Sequence, residues 1–119
     1  MGLIAELGAG SVAVDTAIFI YLLENHARYA DAAERLLGQV SRGELSAVLS
    51  AVGLIELLTG PKKRGRHDLA AEYREHLIAF PHLVIWGVTE HVVEVASDLR
   101  ARYGIATPDA IHLATAIDF

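Results

Sequence analysis

Asp15, Glu56 and Asp109 each stand in an apolar setting. The stretches are Val12-Ala13-Val14-Asp15, Gly53-Leu54-Ile55-Glu56-Leu57-Leu58 and Pro108-Asp109-Ala110-Ile111-His112-Leu113-Ala114. An unpaired carboxylate is costly to bury, so acids in such settings usually have a partner or a cation. If folding brings these three together, their mutual repulsion makes a site for a divalent metal.

Taken singly, the acids have structural explanations. Asp15 precedes Thr16 and an apolar helical stretch, where it suits an N-cap. Asp109 falls in the first turn of a helix, where negative charge complements the dipole. Glu56 is harder to explain this way. Its helical neighbours Val52, Gly53, Thr59 and Gly60 are mostly small, which leaves room beside the carboxylate for a metal, water or substrate. The functional case rests on all three together.

The elements that must position these acids alternate between strand and helix. Ser11 to Val14 reads as a short buried strand with Asp15 at its carboxyl end. Thr16 to Asn25 reads as a helix with Ile18, Tyr21 and Leu22 along one side, and His26 to Ala30 as a connector. Asp31 to Ser41 is amphipathic, capped by Asp31 and striped by Ala33, Leu36, Leu37 and Val40. Leu45 to Leu49 is a second strand. Ser50 caps a helix to about Thr59, which Gly60-Pro61 should end. A helix from about Arg66 to Phe80 follows, with Leu69, Tyr73, His76, Leu77 and Phe80 inward. Leu83 to Trp86 is a third strand. Thr89 caps a helix carrying Val92, Val93, Ala96, Leu99 and Tyr103, with Gly104 at its C-terminus. Thr107-Pro108 opens the last helix. This alternation implies a parallel sheet covered on both faces, with ligands outside the carboxyl ends of its strands.

The 119 residues suit one domain, and 53% are hydrophobic, enough for a real core. Residues 1–10 are not assigned to that core. No cysteine is present, which excludes disulfides, thiolate metal sites and a Cys nucleophile and suits a reducing cytoplasm. No stretch approaches the roughly 18 apolar residues of a membrane span. The net charge of −5 argues against a dedicated duplex-DNA binder. One basic cluster stands out, Lys62, Lys63, Arg64 and Arg66. It reads either as a phosphate-contacting patch or as a solvated loop. Six histidines form no H-x-x-x-H or H-E-x-x-H pattern, which argues against zinc. His112 alone shares a helical face with one of the acids. No serine-hydrolase or nucleotide-binding glycine motif occurs.

The ordered set Val14-Asp15-Thr16, Ile55-Glu56-Leu57-Leu58-Thr59-Gly60 and Thr107-Pro108-Asp109-Ala110-Ile111-His112-Leu113-Ala114 resembles the PIN-domain family, and most closely its VapC-type toxins of toxin–antitoxin pairs. The resemblance spans nearly the whole chain. It implies a three-layer α/β/α fold around a mostly parallel sheet. It also implies a ribonuclease dependent on Mg²⁺ or Mn²⁺. Asp15 and Asp109 match the metal-binding aspartates and Glu56 the acid of the second motif. Thr16 matches the residue that commonly follows the first aspartate; with Lys62, Lys63 and Arg64 it is the expected substrate contact. Such hard cations take oxygen ligands and activate water against a phosphate. Glu56 would orient that water, take its proton or help hold a second metal. The implied partners are RNA, a cognate antitoxin and a second copy of the chain in a homodimer. Apolar residues Tyr21, Leu22, Leu23, Leu36 and Leu37 would serve either as core or as partner surface.

The family usually carries a fourth acidic residue near the end of a strand after the Asp109 helix. The sequence ends at Phe119, and Asp118 falls too early to match. The expectation is a truncated C-terminus, or a naturally shortened protein whose sheet lacks its last strand. In the second case the alternative function is a non-catalytic PIN-like protein-binding module with an incomplete acidic site.

Overall fold

Two successive strand–helix–helix–strand crossovers set the architecture. A computed structural model describes residues 4–8, 10–23, 25 and 27–119. After β1 (Ile4–Gly8), the chain runs β2 (Ser11–Val14), α1 (Thr16–Leu23), α2 (Ala30–Ser41) and β3 (Ser46–Ser50). The second crossover runs through α3 (Ala51–Lys63) and α4 (His67–Ile78) to β4 (Leu83–Trp86). The helices α5 (Glu90–Tyr103) and α6 (Thr107–Asp118) close the described chain.

The sheet order is β1-β2-β3-β4. β2, β3 and β4 are parallel, with Val12 opposite Ala47, Val48 opposite Val84 and Ser50 opposite Trp86. β1 lies antiparallel on the outer side of β2, pairing Ala5 with Ala13. The sequence reading had no element there.

Side-chain alternation explains the two helical layers. Val12, Val14, Ala47, Leu49 and Leu83 turn to one face, where they pack with Ile18, Phe19, Ala33, Leu37, Val40, Leu57 and Leu77 of α1 to α4. The opposite face carries Trp86, which packs with Val92, Ala96, Ala110 and Ala114 of α5 and α6. β3 is covered on both sides: Ala47, Val48, Leu49 and Ser50 are all buried. An unbroken buried run of this kind marks a parallel strand inside an α/β sandwich. The three-layer α/β/α expectation therefore stands.

Several local expectations change. Asp31 does not cap α2; the helix begins at Ala30 with Tyr29 as N-cap, and Asp31 lies in the first turn, where its charge meets the dipole. Gly60-Pro61 does not end α3, which runs on to Lys63. Proline costs the helix the one bond its nitrogen would donate four residues back, and the buried ring offsets this by packing. His76 faces solvent beside Glu72 rather than inward. Val93 and Tyr103 are exposed at 51% and 67%, so the inward stripe of α5 is Val92, Ala96 and, in part, Val95 and Leu99. Thr89 caps α5 as expected, its hydroxyl accepting from the Val92 N–H at 3.2 Å. Gly104 ends the helix at φ 64°, a left-handed conformation that favours glycine. The expected inward place of Tyr21, and that of His26 in the connector, lie outside the described residues. No described helix is long and apolar enough to cross a membrane.

Candidate active site

Asp15 follows the last residue of β2 and opens α1. Its Oδ1 accepts from the Thr16 hydroxyl and from the Ala17 N–H, both at 3.2 Å. The N-cap reading is therefore correct, and it occupies only one oxygen. Oδ2 has no protein partner among the described residues, and the side chain is half-buried.

Ser50 ends β3 and caps α3 in extended geometry, its Oγ accepting from the Gly53 N–H at 3.1 Å. The same Oγ lies 2.7 Å from His112 Nδ1, and His112 Nε2 lies 2.9 Å from Glu56 Oε1. A side chain from α6 thus bridges two residues of the β3–α3 junction. Asp109 is three residues before His112, on the same face of α6, and is exposed.

Gly53 shows how tightly these segments meet. A Cβ there would lie 2.8 Å from Leu49 Cδ1, 3.3 Å from Thr16 Cγ2 and 3.5 Å from His112 Cε1. All three sequence motifs therefore reach the backbone of one glycine. Gly53→Ala should lower stability by about 1–2 kcal/mol, because overpacking against a fully buried Leu49 outweighs the better helix propensity of alanine. Thermal denaturation checks this; an alanine variant as stable as wild type would refute the close packing.

The expectation of buried acids is corrected. The Glu56 side chain is 50% exposed, Asp109 is exposed and Asp15 only half-buried. An open site spares these carboxylates the desolvation cost. Among the described residues, no three acids or histidines converge into a metal-holding group.

A cavity of about 150 Å³ between α1, α3 and α4 is lined by Ile20, Leu23, Glu56, Leu57, Gly60, Pro61, Arg64 and Tyr73. It joins the acidic site to the basic cluster, since Glu56, Gly60 and Arg64 follow one helical face at four-residue steps. Arg66 is occupied by Asp68, with both nitrogen–oxygen contacts at 3.2 Å. This pairing holds the Asp68 carboxyl below its ordinary value, mainly through the side-chain hydrogen bond. Lys62, Lys63 and Arg64 have no ion-pair partner among the described residues. A second cavity, about 230 Å³ and mostly apolar, lies between α1, α2 and α4 and includes Phe19, Leu22, Leu23, Leu37, Leu77 and Phe80.

Sequence reasoning missed Ser50 as more than a cap. Its place at the carboxyl end of the central strand was a usable signal, because ligand sites gather there.

The fold is an open-sheet α/β domain in which Asp15 follows β2, Glu56 lies on the helix after β3 and His112 of α6 reaches Glu56. The PIN domain family model matches residues 12–118, and the chain belongs to that family. A solved structure described as a toxin-antitoxin complex from Klebsiella pneumoniae is similar in fold. Its TM-score is 0.63 at 23% identity, and the match covers 88% of this chain and 77% of that chain. No curated protein matches the chain.

Proposed function

We propose that this PIN domain is a metal-dependent endoribonuclease that cleaves RNA phosphodiester bonds, acting in the cytoplasm as the toxin of a type II toxin–antitoxin pair. The observation that carries the reading is the meeting of the Asp15-Thr16, Glu56 and Asp109–His112 segments at Gly53, in a chain of this family. The toxin assignment draws on the described complex of similar fold. The apolar cavity between α1, α2 and α4 suits an antitoxin segment, and a second copy of the chain completes the proposed assembly.

The donor set fits Mg²⁺ or Mn²⁺. Such ions need only one or two protein carboxylates, with waters and phosphate filling the remaining positions. Asp15 Oδ2 and the exposed Asp109 would provide them, and a closed cage of three acids is not required. When bound, the ion would supply positive charge at the phosphate and make water a better nucleophile. Thr16 and the Ala17 N–H fix the direction of the Asp15 carboxylate. Glu56, half-exposed at the cavity wall, would orient water, accept its proton or help hold a second metal. Lys62, Lys63 and Arg64 would hold the RNA backbone, a contact that weakens with salt.

The test is cleavage of RNA by the purified protein in Mn²⁺ or Mg²⁺, abolished by chelation. A protein that cleaves with neither ion overturns the nuclease reading. The alternative is a non-catalytic PIN-like protein-binding module with an incomplete acidic site. That module would bind a protein partner yet neither bind Mn²⁺ nor cut RNA.

A further inference from the structure

We propose that His112 is the positioning residue of this site, holding the Glu56 carboxylate in one orientation through a relay anchored on the backbone of α3. The inference deepens the nuclease reading above and rests on it.

The relay has a defined direction. The Glu56 carboxylate only accepts hydrogen bonds, so His112 Nε2, 2.9 Å away, carries the proton and donates. In the Nε2–H tautomer, Nδ1 is an acceptor. Ser50 Oγ accepts from the Gly53 N–H at 3.1 Å and keeps an O–H that can donate to this Nδ1 across 2.7 Å. Gly53, Ser50, His112 and Glu56 thus form a one-way chain, fixed by a backbone N–H at one end and a carboxylate at the other.

Burial falls along the same chain. Ser50 is 3% exposed, while the His112 and Glu56 side chains are 21% and 50% exposed. The inner members are shielded from competing water, and only the working end is open. A glutamate at that exposure on a helix would otherwise sample many rotamers, and orienting partners of this kind keep a reactive carboxylate usable. A Ser–His–Glu set also suggests a nucleophile and base. Burial and the commitment of both Ser50 hydrogen bonds argue against that role here.

A crossed pair of substitutions separates positioning from a simple tie between helices. His112→Gln places an amide N–H near the Nε2 position and keeps the donor to Glu56. His112→Asn reaches only the Nδ1 position and keeps Ser50. Positioning predicts that H112N lowers kcat on RNA about 10- to 100-fold with KM nearly unchanged. Its Mn²⁺ affinity, measured calorimetrically without RNA, falls about tenfold. H112Q stays within a few-fold of wild type in both. In the metal-free chain, the His112 ring nitrogens should report the Nε2–H tautomer by NMR. In a Glu56→Gln background, H112N should add little further loss; this cycle decides the matter if H112N is unstable. The reverse order, with H112N near wild type and H112Q impaired, overturns the proposal. So does Asp15-dependent cleavage indifferent to both variants. Cleavage that persists in Asp15→Ala instead overturns the nuclease reading itself.

Discussion

Asp15→Asn will abolish metal-dependent RNA cleavage while leaving the fold standing. The choice of asparagine follows from the two tasks of this side chain. Oδ1 caps α1 through Thr16 and Ala17, and asparagine is as good an N-cap as aspartate. The second oxygen has no protein partner among the described residues and is the proposed cation ligand. Asparagine keeps the cap and removes the negative charge. Charge stabilisation by a bound cation amounts to several kcal/mol at the transition state, so cleavage should fall on the order of a hundredfold or more. The thermal midpoint should stay near that of wild type. Asp15→Ala should lose the activity too, with about 1 kcal/mol of stability from the missing cap. The pair is read by RNA cleavage in Mn²⁺ beside thermal melts. Wild-type cleavage by the asparagine variant would sink the assignment of Asp15 to the site.

That prediction depends on features of unequal legibility in the sequence. The spans Ser11–Val14 and Leu83–Trp86 could be read without error, because short apolar runs between turn signals have few other solutions. Ser50 and Thr89 declared themselves as caps for the same local reason. The three acidic motifs could be ordered along the chain. Their exposure could not be read, since an apolar sequence neighbour says nothing about which way a helical side chain points. Ile55, beside Glu56, is itself 63% exposed. The link from Glu56 to His112 spans 56 residues and exists only through tertiary packing. The extension of α3 through Gly60 and Pro61 was hidden differently. Both residues are strong stop signals, yet the buried Pro61 packs well enough to carry one more turn.

Leu49→Ala tests whether this packing or the strands alone support the site. Leu49 is fully buried in the central strand, on the face packed by α1 to α4. Removing its side-chain carbons should cost about 3–5 kcal/mol, a large share of the roughly 5–15 kcal/mol that stabilises a typical domain. For a chain of this size the midpoint should drop by some 10 °C or more. The informative step is the double variant. Leu49 Cδ1 is the atom that a Cβ on Gly53 would meet at 2.8 Å, so Leu49→Ala opens the space that Gly53→Ala lacks. Alone, Gly53→Ala should destabilise. In the Leu49→Ala background it should restore about 1 kcal/mol, from helix propensity and from filling part of the cavity. Thr16 Cγ2 and His112 Cε1 remain at 3.3 and 3.5 Å, so the rescue is partial. The reversal of sign is the diagnostic, since contacting residues couple and distant ones add. Strict additivity of the two changes in a denaturation cycle would show that Leu49 and Gly53 do not press on each other. Gly53 could then not be the point at which strand, α1 and α6 hold the acidic segments together.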